Sequence, residues 1–503
     1  MGNCIITRRG LSSEASVKQE GIYPVGADSR PIGDVIVPDN VRRLYGYIFR
    51  ENKNVWSVAL PNLLTSIDEY GFAECSNLTS INLPNNLEEI KNYCFMNCSE
   101  LRDANINVES KCTSIGKQAF YGCQALKDFT FPYGLRQIGE SAFYDCQNLT
   151  KVLLPMEIDC INTQSFYNCQ GVKEIRLSPK IVSIANGAFR YNYYVQRIYT
   201  QNTTDSEYTA TLPQALTSIG DNAFEGCFSH ISEGATMLLP QKLQSIGTYA
   251  FYHCVNLKHV DVEDGAMFDI KGRYTFAYCE MLDDESVLNI TSHIKSITSS
   301  AYLFNNCIGL KNVNTQILSS YMFTSCANLE SIAGTNILTD SGSYIITSCS
   351  KIKSIVLESA GTNISDNAFS GCVTLEVFKV SGTTSSMGKA VFNGDKGLKT
   401  LHLPATIVSC VSDSLTSASS SYYFLQGCTA LEDVVLGDGW SVSVRLDVSD
   451  KLTHDSLLAT INNLADLNSI GKDTQTLTIG AANKAKLTAE EIKIATDKGW
   501  SIV

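Results

Sequence analysis

The chain has 503 residues, 44% of them hydrophobic, and a formal net charge of −12 at pH 7. That supplies apolar material for a large core. The acidic balance argues against a nucleic-acid ligand held by phosphate neutralisation, and no apolar run is long enough for a membrane span. Length alone suggests three domains, but an internal repeat overrides that expectation.

Residues 1–30 open with Met1-Gly2-Asn3-Cys4 and continue into a run rich in Ser, Glu and Gly. No apolar segment follows Arg8 and Arg9, so a secretory signal is not expected. Myristoylation wants Ser or Thr at position 6 and meets Ile6. A lipidated Cys4 stays open as an alternative. This stretch is expected to be an extended docking segment. Residues 31–48, with Val35-Ile36-Val37-Pro38, read as a degenerate first strand and a cap over the open end of the array.

Residues 49–439 carry the repeat. Its fullest copy runs Leu126-Lys127-Asp128-Phe129-Thr130-Phe131-Pro132, then Leu135-Arg136-Gln137-Ile138-Gly139, then Ala142-Phe143-Tyr144-Asp145-Cys146. Indexed on the Phe position, sixteen copies run from Phe49 to Leu425, and eight of the fifteen spacings are 23 residues. Alternation in Leu78-Thr79-Ser80-Ile81-Asn82-Leu83 predicts a strand, and Pro84 ends it. The Leu-x-x-Ile-Gly part predicts a second short strand, with the glycine permitting a turn. Ala-Phe-x-x-Cys fits one helical turn with Phe and Cys on one face. No single copy can bury its apolar face alone, so the copies stack as coils of a parallel α/β solenoid.

The string Ile-Gly-x-x-Ala-Phe-x-x-Cys-x-x-Leu resembles leucine-rich repeats of the BspA type from about residue 41 to 436. The resemblance implies a superhelix of about sixteen coils whose business is binding. Thirteen of the 18 cysteines fall at one repeat position, where stacking makes a column of parallel side chains. Parallel Cβ vectors suit disulfides poorly, so buried thiols acting as small hydrophobes are expected. No C-x-x-C pair points to zinc.

The period swells to 35 residues between Phe189 and Phe224, with a polar insert after Tyr199. Just before it, Tyr191, Tyr193 and Tyr194 flank Asn192, which replaces the column cysteine. Exposed tyrosines suit interfaces, though they also occur at ordinary coil edges. With Arg176, Arg197 and Tyr199 from the outward strand positions they make the candidate binding patch. A second insert, Val408 to Ser421, is Ser-rich and closes on Tyr422 and Tyr423. Long loops on a rigid scaffold are where recognition tends to sit.

Residues 440–503 are expected to form an α/β cap. A helix opens near Leu452, Thr476–Ile479 is a strand, and Thr488-Ala489-Glu490-Glu491 is a capping box. Gly499 stops the second helix, and Trp500–Val503 is a last strand. The run Leu477-Thr478-Ile479-Gly480, Lys486-Leu487-Thr488 and Ile494 to Trp500 resembles the C-terminal module of leucine-rich-repeat proteins in phage and prophage tail regions. Ile5-Ile6-Thr7-Arg8-Arg9-Gly10 is similar to the opening of tail-associated minor structural proteins. That resemblance implies a virion location, docking to other tail proteins through Ile5, Ile6, Thr7, Arg8 and Arg9, and a solenoid facing the host surface, with a homo-oligomer allowed.

No catalytic constellation stands out. Six histidines are scattered over different coils, and His253 neighbours only a column thiol, Cys254, which burial leaves inert. Asp283-Asp284-Glu285 reads as a solvated face. No phosphate loop or metalloprotease signature occurs, so no cofactor, metal or enzymatic activity is expected. A cell-surface adhesin or lipoprotein binding host proteins or glycans is the alternative to the virion reading.

Overall fold

A computed structural model of the chain describes residues 4–5, 16–17, 33–200, 208–298, 301–335, 338–339, 343–358, 362–410 and 424–503. It divides into two compact units, Met1–Gly272 and Arg273–Val503.

In the first unit most coils contribute two strands. First strands such as Ser80–Leu83 and Asp103–Ile106, or Glu174–Leu177 and Arg197–Thr200, pair in parallel and in register. Second strands, among them Glu89–Ile90, Ser114–Ile115 and Gln137–Ile138, form a separate parallel ladder. Alternate side chains point inward: Ile81 and Leu83 are buried while Asn82 is exposed. The first-strand sheet is interrupted beside Phe129, where only an Asp103–Asp128 bridge survives. There both inward positions hold phenylalanines, Phe129 and Phe131, packed edge-on against Phe143. These rings are bulkier than the aliphatic pairs of neighbouring coils. The residues after the first insert add a strand, Ala210–Thr211, between Arg197–Thr200 and Ala235–Leu239.

The Ala-Phe-x-x-Cys segment is not helical. Tyr70 and Glu74, two residues either side of Phe72, have left-handed backbones (φ 57° and 63°), and the same places recur at Tyr93 and Asn97. The amides of Tyr70, Phe72 and Glu74 donate to carbonyls of the next coil at Asn92, Cys94 and Met96, while Gly71, Ala73 and Cys75 donate three residues back. Every second amide is therefore spent between coils, a third ladder that an α-helix could not provide. Left-handed residues cost on the order of 1 kcal/mol each, and two coil-to-coil bonds flanking each Phe offset that. The expected shared face of Phe and Cys is nevertheless present. Phe49, Phe72, Phe95, Phe120 and Phe143 stack at 4.9–5.3 Å, nearly parallel.

The cysteine column is aligned. Cys123 donates to the carbonyl of Phe95 (3.1 Å), Cys146 to Phe120 (3.2 Å) and Cys169 to Phe143 (3.0 Å). The thirteen column cysteines are free thiols and all are buried. The Gly116 and Gly139 positions do not need a left-handed turn. A Cβ on Gly139 would lie 2.5 Å from backbone atoms of Gly116 and Lys117 in the preceding coil. The glycine permits close approach of coils rather than unusual dihedrals.

In the second unit six first strands, from Asn312–Asn314 to Asp433–Leu436, form one parallel sheet. A helix lies at each edge. Helix α1 (Asp284–Ser292) is N-capped by Asp283, and Asp284 accepts from the amides of Lys311 (2.7 Å) and Asn312 (3.1 Å). The acidic run Asp283-Asp284-Glu285 is thus a helix start that saturates a strand edge. Helix α2 (His454–Asn462) treats the other edge likewise: Ser456 Oγ accepts from Val434 N (2.7 Å) and Thr460 Oγ1 donates to Val434 O (3.1 Å). Covered edges cannot recruit foreign strands. Beyond α2, strands Val444–Arg445, Gln475–Thr478 and Trp500–Ile502 pair in parallel, with helices α3 (Gly480–Lys484) and α4 (Ala489–Asp497) between the last two. The Thr488–Glu491 capping box is formed.

Two strands from the N-terminal stretch extend the array: Cys4–Ile5 pairs with Val35–Ile36, and Ser16–Val17 with Arg43–Leu44. That stretch thus supplies a further partial coil.

Candidate binding face

Outward positions of the first strands make adjoining columns. Register places Lys151, Glu174 and Arg197 in one row, and Leu153, Arg176 and Tyr199 in the next. Three of the candidate residues therefore meet. The Arg197 guanidinium lies 4.9 Å from the Tyr199 ring centroid, a contact worth about 0.5–1 kcal/mol at an exposed site. Tyr199 Oη donates to Glu174 (2.8 Å). Arg176 Nη2 reaches the carbonyl of Leu153 (3.4 Å), which fixes its head at the coil boundary. Burial and the bond to Glu174 push the Tyr199 phenol up, so it stays a donor.

Tyr191, Tyr193 and Tyr194 form a second cluster in the turn leading to that strand, with different partners. Arg190 sits 4.5 Å from the Tyr191 ring and pairs with buried Glu225 (2.9 Å). Tyr191 and Tyr193 stack at 5.7 Å, and His230 tilts against Tyr193 (5.4 Å) and Tyr194 (4.9 Å). Gly226, at φ +78°, makes room for Tyr193: a Cβ there would fall 2.8 Å from the ring. Tyr194 is 44% exposed, whereas Tyr191 and Tyr193 are half-buried. The expected single patch is thus two neighbouring arrangements, a strand-face group and an aromatic turn. The Arg190–Glu225 pair beneath the tyrosines was missed in the sequence because a 35-residue spacing separates its members.

Residues 201–207 of the first insert and 411–423 of the second lie outside the described residues, as do Ile6, Thr7, Arg8 and Arg9. Ile5 lies in the strand Cys4–Ile5.

Several titratable groups are structurally engaged. Cys254 donates to the Phe224 carbonyl (3.2 Å). Burial pushes up the thiols of Cys98, Cys146 and Cys372 in the column, and that of Cys112, two residues before the strand Ser114–Ile115, to about 11, which removes nucleophilic thiolate. His402 faces Asp433 (3.2 Å) and His454 faces Glu491 (3.0 Å), each spanning two elements. Among the described residues no cluster of His, Cys, Asp and Glu is placed to hold a metal, and no helix is long and apolar enough to cross a membrane.

Among solved structures, a leucine-rich repeat protein from Bacteroides ovatus has 21% identity and a TM-score of 0.52, covering 85% of this chain and 91% of its own. A leucine rich cell surface protein from Faecalibacterium prausnitzii has 18% identity and a TM-score of 0.32, with 82% and 85% covered. The T. pallidum leucine rich repeat protein has 21% identity and a TM-score of 0.29, with 40% and 78% covered. Curated proteins give no match. The first of these shares the fold at a level that says nothing of function. The sequence itself matches the BspA type leucine rich repeat region over residues 27–110, 103–210, 202–317 and 301–422. The chain belongs to the BspA-type leucine-rich repeat family.

Proposed function

We propose that this protein is a non-enzymatic binding component of a bacteriophage tail or tail fibre, docked by its N-terminal segment and presenting the solenoid to a host surface. The observation that carries the binding reading is the contrast between a repeated interior and a varied exterior. Phe and Cys recur inside coil after coil, while the outward rows change from Lys151 to Glu174 to Arg197 and from Leu153 to Arg176 to Tyr199. The tail reading is supported by the resemblances at Ile5–Gly10 and Leu477–Trp500, and by a column of free thiols suited to assembly in a reducing cytosol. Mass spectrometry of purified particles and washed bacterial envelopes tests the location, with the protein expected in particles. The same particles should lose adhesion to host cells when Arg197→Ala and Tyr199→Ala are combined.

A second reading, a bacterial surface adhesin binding host proteins or glycans, is favoured by family membership. Recovery from envelopes and absence from particles would select it and refute the tail role.

A further inference from the structure

The first unit gathers positive charge on one stretch of its first-strand face, against the trend of a chain carrying −12. Two adjoining columns hold it. Backbone bonds set the first: Lys127 N to Arg102 O, Thr150 N to Lys127 O, Lys173 N to Thr150 O. Register sets the second, in which Lys151, Glu174 and Arg197 are neighbours.

Lys127, Lys151 and Lys173 are exposed. Carboxylates stand on the same face and keep their charge, Asp128 accepting from Thr150 (2.6 Å) and Glu174 from Tyr199 (2.8 Å) with Asp103 beside Asp128. Arg102, Lys127, Lys151, Lys173, Arg176 and Arg197 outnumber them. Cations on other faces of the unit, such as Lys117 with Glu140 (2.9 Å) and Lys180 with Glu157 (2.8 Å), are paired across coils. A groove of 970 Å³ runs beside the first column, lined among others by Gln124, Lys127, Asn148 and Thr150. It offers amide and hydroxyl groups next to the Lys127 ammonium and the Arg102 guanidinium, with Glu100 and Asp103 also in its lining.

Adjacent strands are about 4.8 Å apart, so Lys127 and Lys173, two coils apart, stand about 10 Å apart along the array. Duplex DNA presents a phosphate about every 1.7 Å of its axis and would meet Asp103, Asp128 and Glu174 as well as the cations. A polymer with sparser charge and many hydroxyls fits better. We propose that this stripe binds an acidic polysaccharide laid across the coils, its anionic groups on Lys127, Lys151, Lys173 and Arg197 and its hydroxyls on Gln124, Asn148 and Thr150. This rests on the reading of the first-strand face as the binding face and names its ligand class.

The test is binding of the full chain to immobilised hyaluronate, polygalacturonate, neutral dextran and duplex DNA at low and high salt. Both acidic polysaccharides are expected to bind, less well at high salt, and dextran not at all. Combined Lys127→Ser, Lys151→Ser and Lys173→Ser should weaken binding by about tenfold or more. Lys53→Ser, Lys111→Ser and Lys242→Ser, an equal charge change elsewhere, should cost less than about twofold, because distant exposed charges are screened. Equal loss in the control, equal capture by dextran, tighter binding of DNA, or no acidic polymer bound would overturn the assignment. Adhesion to whole cells separates the two readings. If it is lost with Arg197→Ala and Tyr199→Ala while no acidic polymer binds, the face still binds and only its ligand class is wrong.

Discussion

At position 395 the cysteine column holds an aspartate, fully buried, and neither carboxylate oxygen has a hydrogen-bond partner of good geometry. The column asks its occupant to donate to the Phe carbonyl of the preceding coil. A thiol does so, and so does the amide of Asn192, whose Nδ2 reaches Phe166 O at 3.0 Å. An ionised carboxylate has nothing to donate. Burial pushes Asp395 up to about 8, outweighing the backbone of Cys372 and Gly371, which favours its charge. The folded chain therefore keeps a proton that the unfolded chain loses in the ordinary aspartate range. The associated stability is full below that range and is lost as pH rises towards 8. Asp395→Asn should flatten this slope and raise stability at pH 8 by on the order of 3 kcal/mol. Urea melts of both chains from pH 5 to 9 measure it, and parallel slopes would contradict it.

Three ladders join one coil to the next: first strands, second strands and the left-handed turn ladder around each Phe. The glycine after the second strand sets how closely coils approach. At Gly139 a Cβ would press on the backbone of Gly116 and Lys117, and backbone has less freedom to yield than a flexible side chain. Gly139→Ala should destabilise by about 1–3 kcal/mol. At Gly134, where nothing lies within 4 Å, alanine should change stability by less than about 0.5 kcal/mol. Thermal melts of the two variants decide it, and equal effects would show that the glycine is needed for something other than proximity. The period-2 and capping patterns were legible here: the strand Ser80–Leu83, the capping box at Thr488 and the stop at Gly499 lie where the sequence put them. The turn ladder was not, because Tyr70 and Glu74 carry no local signal for left-handed backbone. Helix α1 was also overlooked, although Asp283 three residues before Ser286 is a cap.

In a repeat array each coil's stability depends largely on its neighbours, so weak junctions should open first. In the second unit Cys372 lies 3.9 Å from the Ile346 carbonyl, against 3.2 Å for Cys146 and 3.0 Å for Cys169 on theirs, and Asp395 follows it. At pH 8 in sub-denaturing urea, Cys349, Cys372 and Cys428 are expected to alkylate before Cys123, Cys146 and Cys169. Peptide mapping of the label reads the order, and simultaneous labelling would mean that the array yields as one.

The sequence by itself determined the repeat, the inward residues and the thiol column, since all three follow from a period that any stacking must respect. The same period aligned the outward rows. Lys151, Glu174 and Arg197 lie 23 residues apart in turn, and strand register sets them side by side as that spacing implies. The tertiary structure alone decided which contacts their side chains make. It also divided the candidate residues into a strand-face group and an aromatic turn. Periodicity fixes what is buried. Hydrogen-bond choices such as Glu174 taking the Tyr199 hydroxyl in preference to a lysine depend on distances that no spacing in the chain encodes.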